Sequence, residues 1–270
     1  MKRIALVLVC VLLAAGAVFA RGGADRNAEK LVVGVTQFPP MNFLDDNGNW
    51  TGFETEFALA VGAKLGMQVE FQEIEWTRKF LELQAGMINC IWNGMTANVV
   101  DSATGRQRYE DVDFTYSYML NQQAVVIRTT RANEFRSLQD LIGKTVAAET
   151  GSAGETIARD VVGESGRFIG TTAQIDTFIE VNAGAVDFAL IDILLAEEMA
   201  GRGDLSGLMI APIEMSAEVY AIGFPRGSPM VARVNQAIVE LFGDGTMLRL
   251  AQKYGLETTL KLDTRRIQDL

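Results

Sequence analysis

The chain has 270 residues, 49% of them apolar, and a net charge of −10, which gives core enough for one large domain or two lobes and excludes disorder. The acidic balance excludes nucleic acid and anionic lipid headgroups as partners, since both need a cationic face. The complete absence of histidine removes the commonest zinc ligand, the commonest general base and the Ser-His hydrolase arrangement together, so no metal and no cofactor are expected.

Lys2 and Arg3, an apolar run over residues 4–13, and small residues ending Val18-Phe19-Ala20 follow the order of a secretory signal peptide, with cleavage expected near Ala20. Cys10 lies inside the apolar core, whereas a lipid-anchored cysteine follows it, so no anchor is expected. Without the leader about 250 residues remain. Their one cysteine, Cys90, has no disulfide partner and sits in an apolar run, as a buried thiol does.

Residues 31–35 read as a buried strand leading into a loop with Pro39-Pro40. Asp45-Asp46-Asn47-Gly48-Asn49 is a turn cluster that closes a short hairpin. Phe57, Ala58, Val61 and Leu65 recur at helical spacing up to Gly66, an alternating strand follows over 69–74, then a helix over 77–85 ending at Gly86, then a strand over 87–92. Strand, helix, strand, helix, strand implies a parallel sheet with crossover helices.

The pattern restarts with strands at 124–127, 145–148, 168–169 and 187–191, a short capped helix at 137–141, and helices over 154–162, 174–183 and 194–200. A strand over 220–224 closes at Pro225-Arg226-Gly227, and helices over 231–242 and 247–254 follow. The polar tail at 264–270 is expected to fray. Two β/α halves of similar size predict an α/β protein of two Rossmann-like lobes.

In open parallel sheets, ligands sit beyond the carboxyl ends of strands. Phe38, pinned by two prolines, and Trp76 stand at such ends and would wall a side chain, with plain core packing as the competing role. In Asn93-Gly94-Met95-Thr96, Gly94 would let the backbone approach a ligand closely, and its carbonyl and the Thr96 hydroxyl offer directed polar atoms. Arg108 would fork onto a carboxylate, with Arg106 as its rival. Glu149-Thr150-Gly151-Ser152-Ala153-Gly154 joins a strand to a helix, where free N–H groups and the Ser152 hydroxyl make an anion site. Asp192 ends a strand and would accept from an ammonium group; helix N-capping is its alternative.

These residues resemble, in order from 31 to 256, the amino-acid-binding periplasmic receptors of ABC importers, polar amino acid group, with the type II periplasmic-binding fold. The likeness shows in Gly52-Phe53-Glu54-Thr55-Glu56 against G-F-D-x-D, in Trp92-Asn93-Gly94-Met95-Thr96 against a G-x-T/S turn, and in Arg108 six residues before Phe114. It continues in the segment 138–144 before Gly151-Ser152, in Asp192, and in Gly223-Phe224-Pro225-Arg226-Gly227.

The resemblance implies two lobes joined by a two-segment hinge at about 117–123 and 216–219. The first lobe would take residues 31–120, with 219–270 returning to it, and the second 121–218. It also implies a monomer in the periplasm that captures a free L-amino acid and delivers it to an ABC transporter membrane permease. Arg108 and the Ser152 and Ala153 amides would hold the carboxylate. Thr96, the Gly94 carbonyl and Asp192 would hold the ammonium or share the carboxylate, and Phe38 and Trp76 would wall the side chain. One departure is the extra stretch 98–107, where the family passes directly from its threonine to its arginine.

Val35 stands where receptors for basic amino acids often carry an acid, which speaks against lysine and arginine. Glu149 stands where others have lysine or glutamine and would restore a basic preference, while Gln37 and Asn93 suit a polar neutral side chain. A polar or basic ligand is expected. Dehydratases of aromatic amino acid synthesis resemble the same fold, and Glu149 is the residue that would serve such chemistry. A sensory module would normally continue into a membrane span and a signalling domain, and the sequence to residue 270 reads as neither, so a sensory role would be that of a free-standing ligand-sensing accessory.

Overall fold

The computed structural model describes residues 29–270, so the expected signal peptide lies outside the described residues. Strand β1 (Lys30–Val35) leads through the hairpin of β2 (Phe43–Leu44) and β3 (Trp50–Thr51) into α1 (Phe53–Leu65), β4 (Gln68–Glu73), α2 (Lys79–Gln84) and β5 (Cys90–Ile91). A short α3 (Arg108–Asp111) and β6 (Asp113–Phe114) complete this run. Then come β7 (Ser117–Arg128), β8 (Thr145–Glu149), α4 (Ala153–Val162), β9 (Arg167–Thr171), α5 (Gln174–Ala183), β10 (Phe188–Asp192) and α6 (Ile193–Met199). The chain finishes with β11 (Leu208–Ile210), β12 (Ala217–Tyr220), β13 (Gly223–Phe224), α7 (Met230–Gly243), α8 (Thr246–Lys253) and β14 (Leu260–Asp263).

Beside the two-stranded β2–β3 hairpin, two large sheets result, each carrying its helices, as the type II periplasmic-binding fold requires. The first has the order β4-β1-β5-β13-β6, and its β4-β1-β5 core is parallel, as crossover helices dictate. In the second, β10-β8-β9 is parallel and β7 runs antiparallel beside β10. Helix α1 ends at Gly66, whose left-handed backbone (φ 67°) releases the chain. Helix α7 buries Val234, Ala237, Ile238 and Leu241, a stripe at helical spacing that faces α1. The Phe57 ring meets Trp92 edge-on at 4.8 Å and Tyr118 at 5.2 Å in the first lobe's core.

Strand β7 is twelve residues long and serves both halves. Its first part pairs with β12, from Met119 against Tyr220 to Gln122 against Ala217, and with β14; its last part pairs with β10 and β11. The two crossing segments are therefore hydrogen-bonded to each other as an antiparallel ribbon.

Several expectations are corrected. Of the run 87–92 only Cys90 and Ile91 pair as a strand, because Met87 is exposed at the end of the preceding turn. The strand read over 220–224 is two strands, β12 beside β7 and β13 in the first sheet, because the chain leaves the ribbon there. The tail does not fray: Ile267 is buried against Ala97 and Ala221, and Arg265 and Arg266 pair with Asp263 and Asp269.

Candidate functional site

The ten residues singled out in the sequence, Phe38, Trp76, Asn93, Gly94, Thr96, Arg108, Glu149, Ser152, Ala153 and Asp192, all line one cavity, joined by Thr36, Gln37 and Gln174. The space between these side chains, counted with the open solvent at its mouth, is about 330 Å³. The loop ends that form it are tied by short-range chemistry. Thr36 Oγ1 donates to Asn93 Oδ1 at 2.6 Å, and Asn93 Nδ2 returns a bond to the Thr36 carbonyl, locking the loops after β1 and β5 together.

The glutamate of the Gly52-Phe53-Glu54 motif explains the Gly94 turn. Glu54 is fully buried and accepts the Gly94 N–H at 2.8 Å and the Tyr118 hydroxyl. Burial pushes its carboxyl up to about 7, with those two donors opposing the rise. Gly94 itself has φ 53°, and a Cβ there would sit 2.3 Å from the Phe38 ring. The close approach that this glycine permits within the protein is to Phe38, while its backbone also lines the cavity.

Arg108 is the first residue of α3 and is 1% exposed. Its Nε donates to Asp101 Oδ2 at 3.2 Å, Nη1 to the Thr96 carbonyl at 2.9 Å and Nη2 to the Gly151 carbonyl at 2.9 Å. A guanidinium has five N–H groups, so one on each terminal nitrogen is left over. Its rival Arg106 is exposed and paired with Asp111, away from the cavity.

Gly151, in the β8–α4 loop, receives more than Arg108. Trp76 Nε1 donates to the same carbonyl at 3.1 Å and Lys79 Nζ at 2.9 Å, so three donors on the first sheet's side converge on one oxygen across the cleft. Lys79 also pairs with Asp101 at 3.2 Å and lies 5.0 Å from the centre of the Trp76 ring. Burial and then the Arg108 charge lower its pKa to about 8. Burial works against the charge of Asp101, but Arg108 and Lys79 outweigh it and hold that carboxyl below its usual range.

The extra stretch 98–107 supplies Asp101, and it folds back through a bridge between Val100 and Gln107. It also crosses the cleft: Ser102 Oγ donates to Glu155 at 2.8 Å, and the Val100 carbonyl accepts from the Thr156 hydroxyl at 2.9 Å.

On the other side Asp192 begins α6 without capping it. Its carboxylate instead accepts from the side-chain amides of Asn121, Gln123 and Gln174. Glu218 shares the Asn121 and Gln123 amides and accepts from the Thr96 hydroxyl at 3.0 Å. Burial pushes both carboxyls up. For Glu218 the Asp192 charge adds to burial and takes it to about 7, whereas for Asp192 the amides of Gln174, Asn121 and Gln123 oppose the rise.

Glu149 ends β8 and is 4% exposed. Burial and then the Asp192 charge push it up to about 8, against the pull of Lys79 and Arg108.

At the start of α4, Ser152 Oγ accepts from Glu155 N at 3.1 Å, which leaves its O–H to donate elsewhere. The Ser152 N–H, however, donates to the Glu149 carbonyl, so the expected pair of amides reduces to Ala153, whose N–H begins the helix and has no acceptor within it. Asn93 lines the cavity while its side-chain amide is bonded to Thr36.

Sequence reasoning missed Lys79, Asp101, Gln174, Asn121, Gln123 and Glu218. Lys79 and Gln174 read as ordinary helix positions, and Asn121, Gln123 and Glu218 lie in the crossing segments, where hinge geometry rather than chemistry was expected. Asp101 alone carried a signal, as an acid in the extra stretch close to two arginines.

The family model of bacterial extracellular solute-binding proteins, family 3, matches residues 31–257. The chain belongs to that family. The arginine-binding extracellular protein ArtP of Bacillus subtilis is 26% identical over 253 residues, covering 92% of this chain and 95% of ArtP. Among solved structures, an ancestral arginine-binding protein bound to arginine superposes with a TM-score of 0.76 at 29% identity, covering 83% of this chain and 97% of that one. The ancestral amino acid-binding protein AncCDT-1, a precursor of cyclohexadienyl dehydratase, gives a TM-score of 0.73 at 26% identity, covering 83% and 95%. Among the described residues of this family member, no helix is long and apolar enough to cross a membrane.

Proposed function

We propose that this protein is an exported receptor that captures a free L-amino acid, polar or basic, between its lobes and, as a monomer, hands it to the membrane permease of an ABC importer. One observation carries the reading. Arg108, with an uncommitted N–H on each terminal nitrogen, and Asp192, held by three neutral amides, line the same cavity from opposite lobes. A carboxylate fits the first and an ammonium the second, so only a ligand with both groups engages both sides and favours closure. The Ala153 N–H and the Ser152 hydroxyl would assist at the carboxylate, and the Gly94 carbonyl and Thr96 at the ammonium. Phe38 and Trp76 would flank the side chain. Residues 31–120 with 219–270, and 121–218, would then move as the two bodies of the hinge. Export rests on the leader-like residues 1–20.

An enzyme of the cyclohexadienyl dehydratase kind is the second reading, favoured by Glu149, a buried acid displaced to about 8. Binding ranks first because the cavity provides for both charged ends of a free amino acid. A thermal-shift screen of the twenty amino acids tests it, since a ligand that binds only the folded form raises the melting temperature. At least one is expected to raise it, with Arg108→Ala and Asp192→Ala each abolishing the shift. Equal shifts in both variants and the parent would displace the site, and turnover of cyclohexadienyl acids would favour the enzyme.

A further inference from the structure

Each charged group around the cavity has an internal partner except one. Lys79 and Arg108 share Asp101 and the Gly151 carbonyl, Asp192 takes three amides, and Glu218 takes two amides and a hydroxyl. The Glu149 carboxyl lines the cavity, is more than nine-tenths buried, and has no hydrogen-bond partner among the described residues. Its charged surroundings are Lys79 and Arg108 across the cleft, Asp192 on β10 and Asp176 on α5.

With no donor from the protein, a carboxyl that faces the cavity takes its partner from what enters there, solvent or ligand. The α-carboxylate cannot be that partner, and the α-ammonium already has Asp192. Resting on the reading of the cleft as an amino-acid site, we propose that Glu149 receives the cationic end of the ligand's side chain, so that the cargo is a basic L-amino acid even though Val35 leaves the usual position for an acid empty. A neutral glutamine-like side chain would leave Glu149 protonated and would gain only a neutral hydrogen bond, weaker than a charge-assisted one. The Phe38 ring, held against Gly94, offers an apolar flank for the methylene stem of such a side chain.

A second consequence follows. In the empty cleft Glu149 is mostly protonated at pH 7, because its pKa lies at about 8. A guanidinium or ammonium beside it favours the carboxylate, so the incoming cation displaces a proton. The complex holds fewer protons than the free protein, and affinity for a cationic ligand rises with pH up to about 8, levelling off above it.

The test is titration calorimetry on the full protein with L-arginine, L-lysine, L-glutamine and L-citrulline, the last being a neutral isostere of arginine. Two buffers of unlike ionisation enthalpy at pH 7 report the protons released. Arginine or lysine is expected to bind at least about tenfold more tightly than citrulline and glutamine, with roughly one proton released for the cation and none for the neutral pair. In Glu149→Gln the ratio of arginine to citrulline affinity is expected to collapse towards one and the proton release to vanish. The comparison of arginine with citrulline on the unaltered chain needs no variant to fold. Citrulline or glutamine binding as tightly as arginine would overturn the inference while leaving amino-acid capture standing. If none of the twenty amino acids binds, both readings fall.

Discussion

The two sides of the cleft hold their charges by different means. On the first lobe Lys79 and Arg108 are balanced by a full opposite charge, Asp101, and are anchored again on the Gly151 carbonyl. On the other side Asp192 is held by neutral amides and Glu149 by no internal partner. A charge matched by a counter-ion is fixed and neutralised before any ligand arrives, whereas one surrounded by amide dipoles keeps its net charge for a visitor. The cationic side therefore ties the two sides of the cleft together, and on the function proposed the acidic side reads what enters it.

Removing the counter-ion is the strongest way to break this contrast. Asp101→Ala leaves two buried cations facing each other, and losing one partner of a buried ion pair costs about 3–5 kcal/mol. Calorimetry should show the melting point falling by roughly 10 °C for a chain of this size; a fall of only a degree or two would mean that Lys79 and Arg108 do not depend on Asp101.

Lys79→Met sharpens the contrast more gently. It keeps an apolar stem of similar length and removes one of the three donors on the Gly151 carbonyl. Stopped-flow measurements should find dissociation of the bound amino acid about tenfold faster, with association changed far less, since interface changes act chiefly on the off-rate. An unchanged off-rate would show that the latch does not hold the closed form.

The last test concerns the buried acids of both sides and pH. Glu54 and Glu218 stand at about 7 and Glu149 at about 8, all above the ordinary value of 4.5. The folded protein thus keeps protons that the unfolded chain releases between pH 4.5 and 8. The resulting stability is complete below 4.5 and is lost as pH rises through 7 to 8. The melting temperature of the unliganded protein should drop clearly from pH 5 to pH 8. Lys79, lowered to about 8, works the other way only above that pH. A melting temperature that climbs over this interval would refute the assignment of protonated acids.

The alternation of strands and helices made the two sheets legible in the sequence, and the residues that line the cavity were legible because they stand at strand ends. Phe38, Thr96, Arg108 and Asp192 each carry chemistry that a loop does not need for its own folding. What escaped was the support beneath them. Gln123 and Glu218 are neighbours only because β7 and β12 pair in one register, and residues 95 positions apart leave no local pattern. Lys79 escaped because a lysine opening a helix reads as solvated, and its burial exists only once the lobes meet. The tail at 264–270 was misread for a similar reason: its single apolar anchor, Ile267, is too little to notice until Ala97 and Ala221 form a seat for it.

The account rests on Arg108 and Asp192 gripping the two ends of one small molecule from opposite lobes. A crystal structure with the amino acid that raises the melting temperature most tests this directly. The account predicts the α-carboxylate within hydrogen-bond distance of both terminal nitrogens of Arg108 and the α-ammonium on Asp192. A bound amino acid that touches neither, or meets both from a site outside the cleft's cavity, would contradict it.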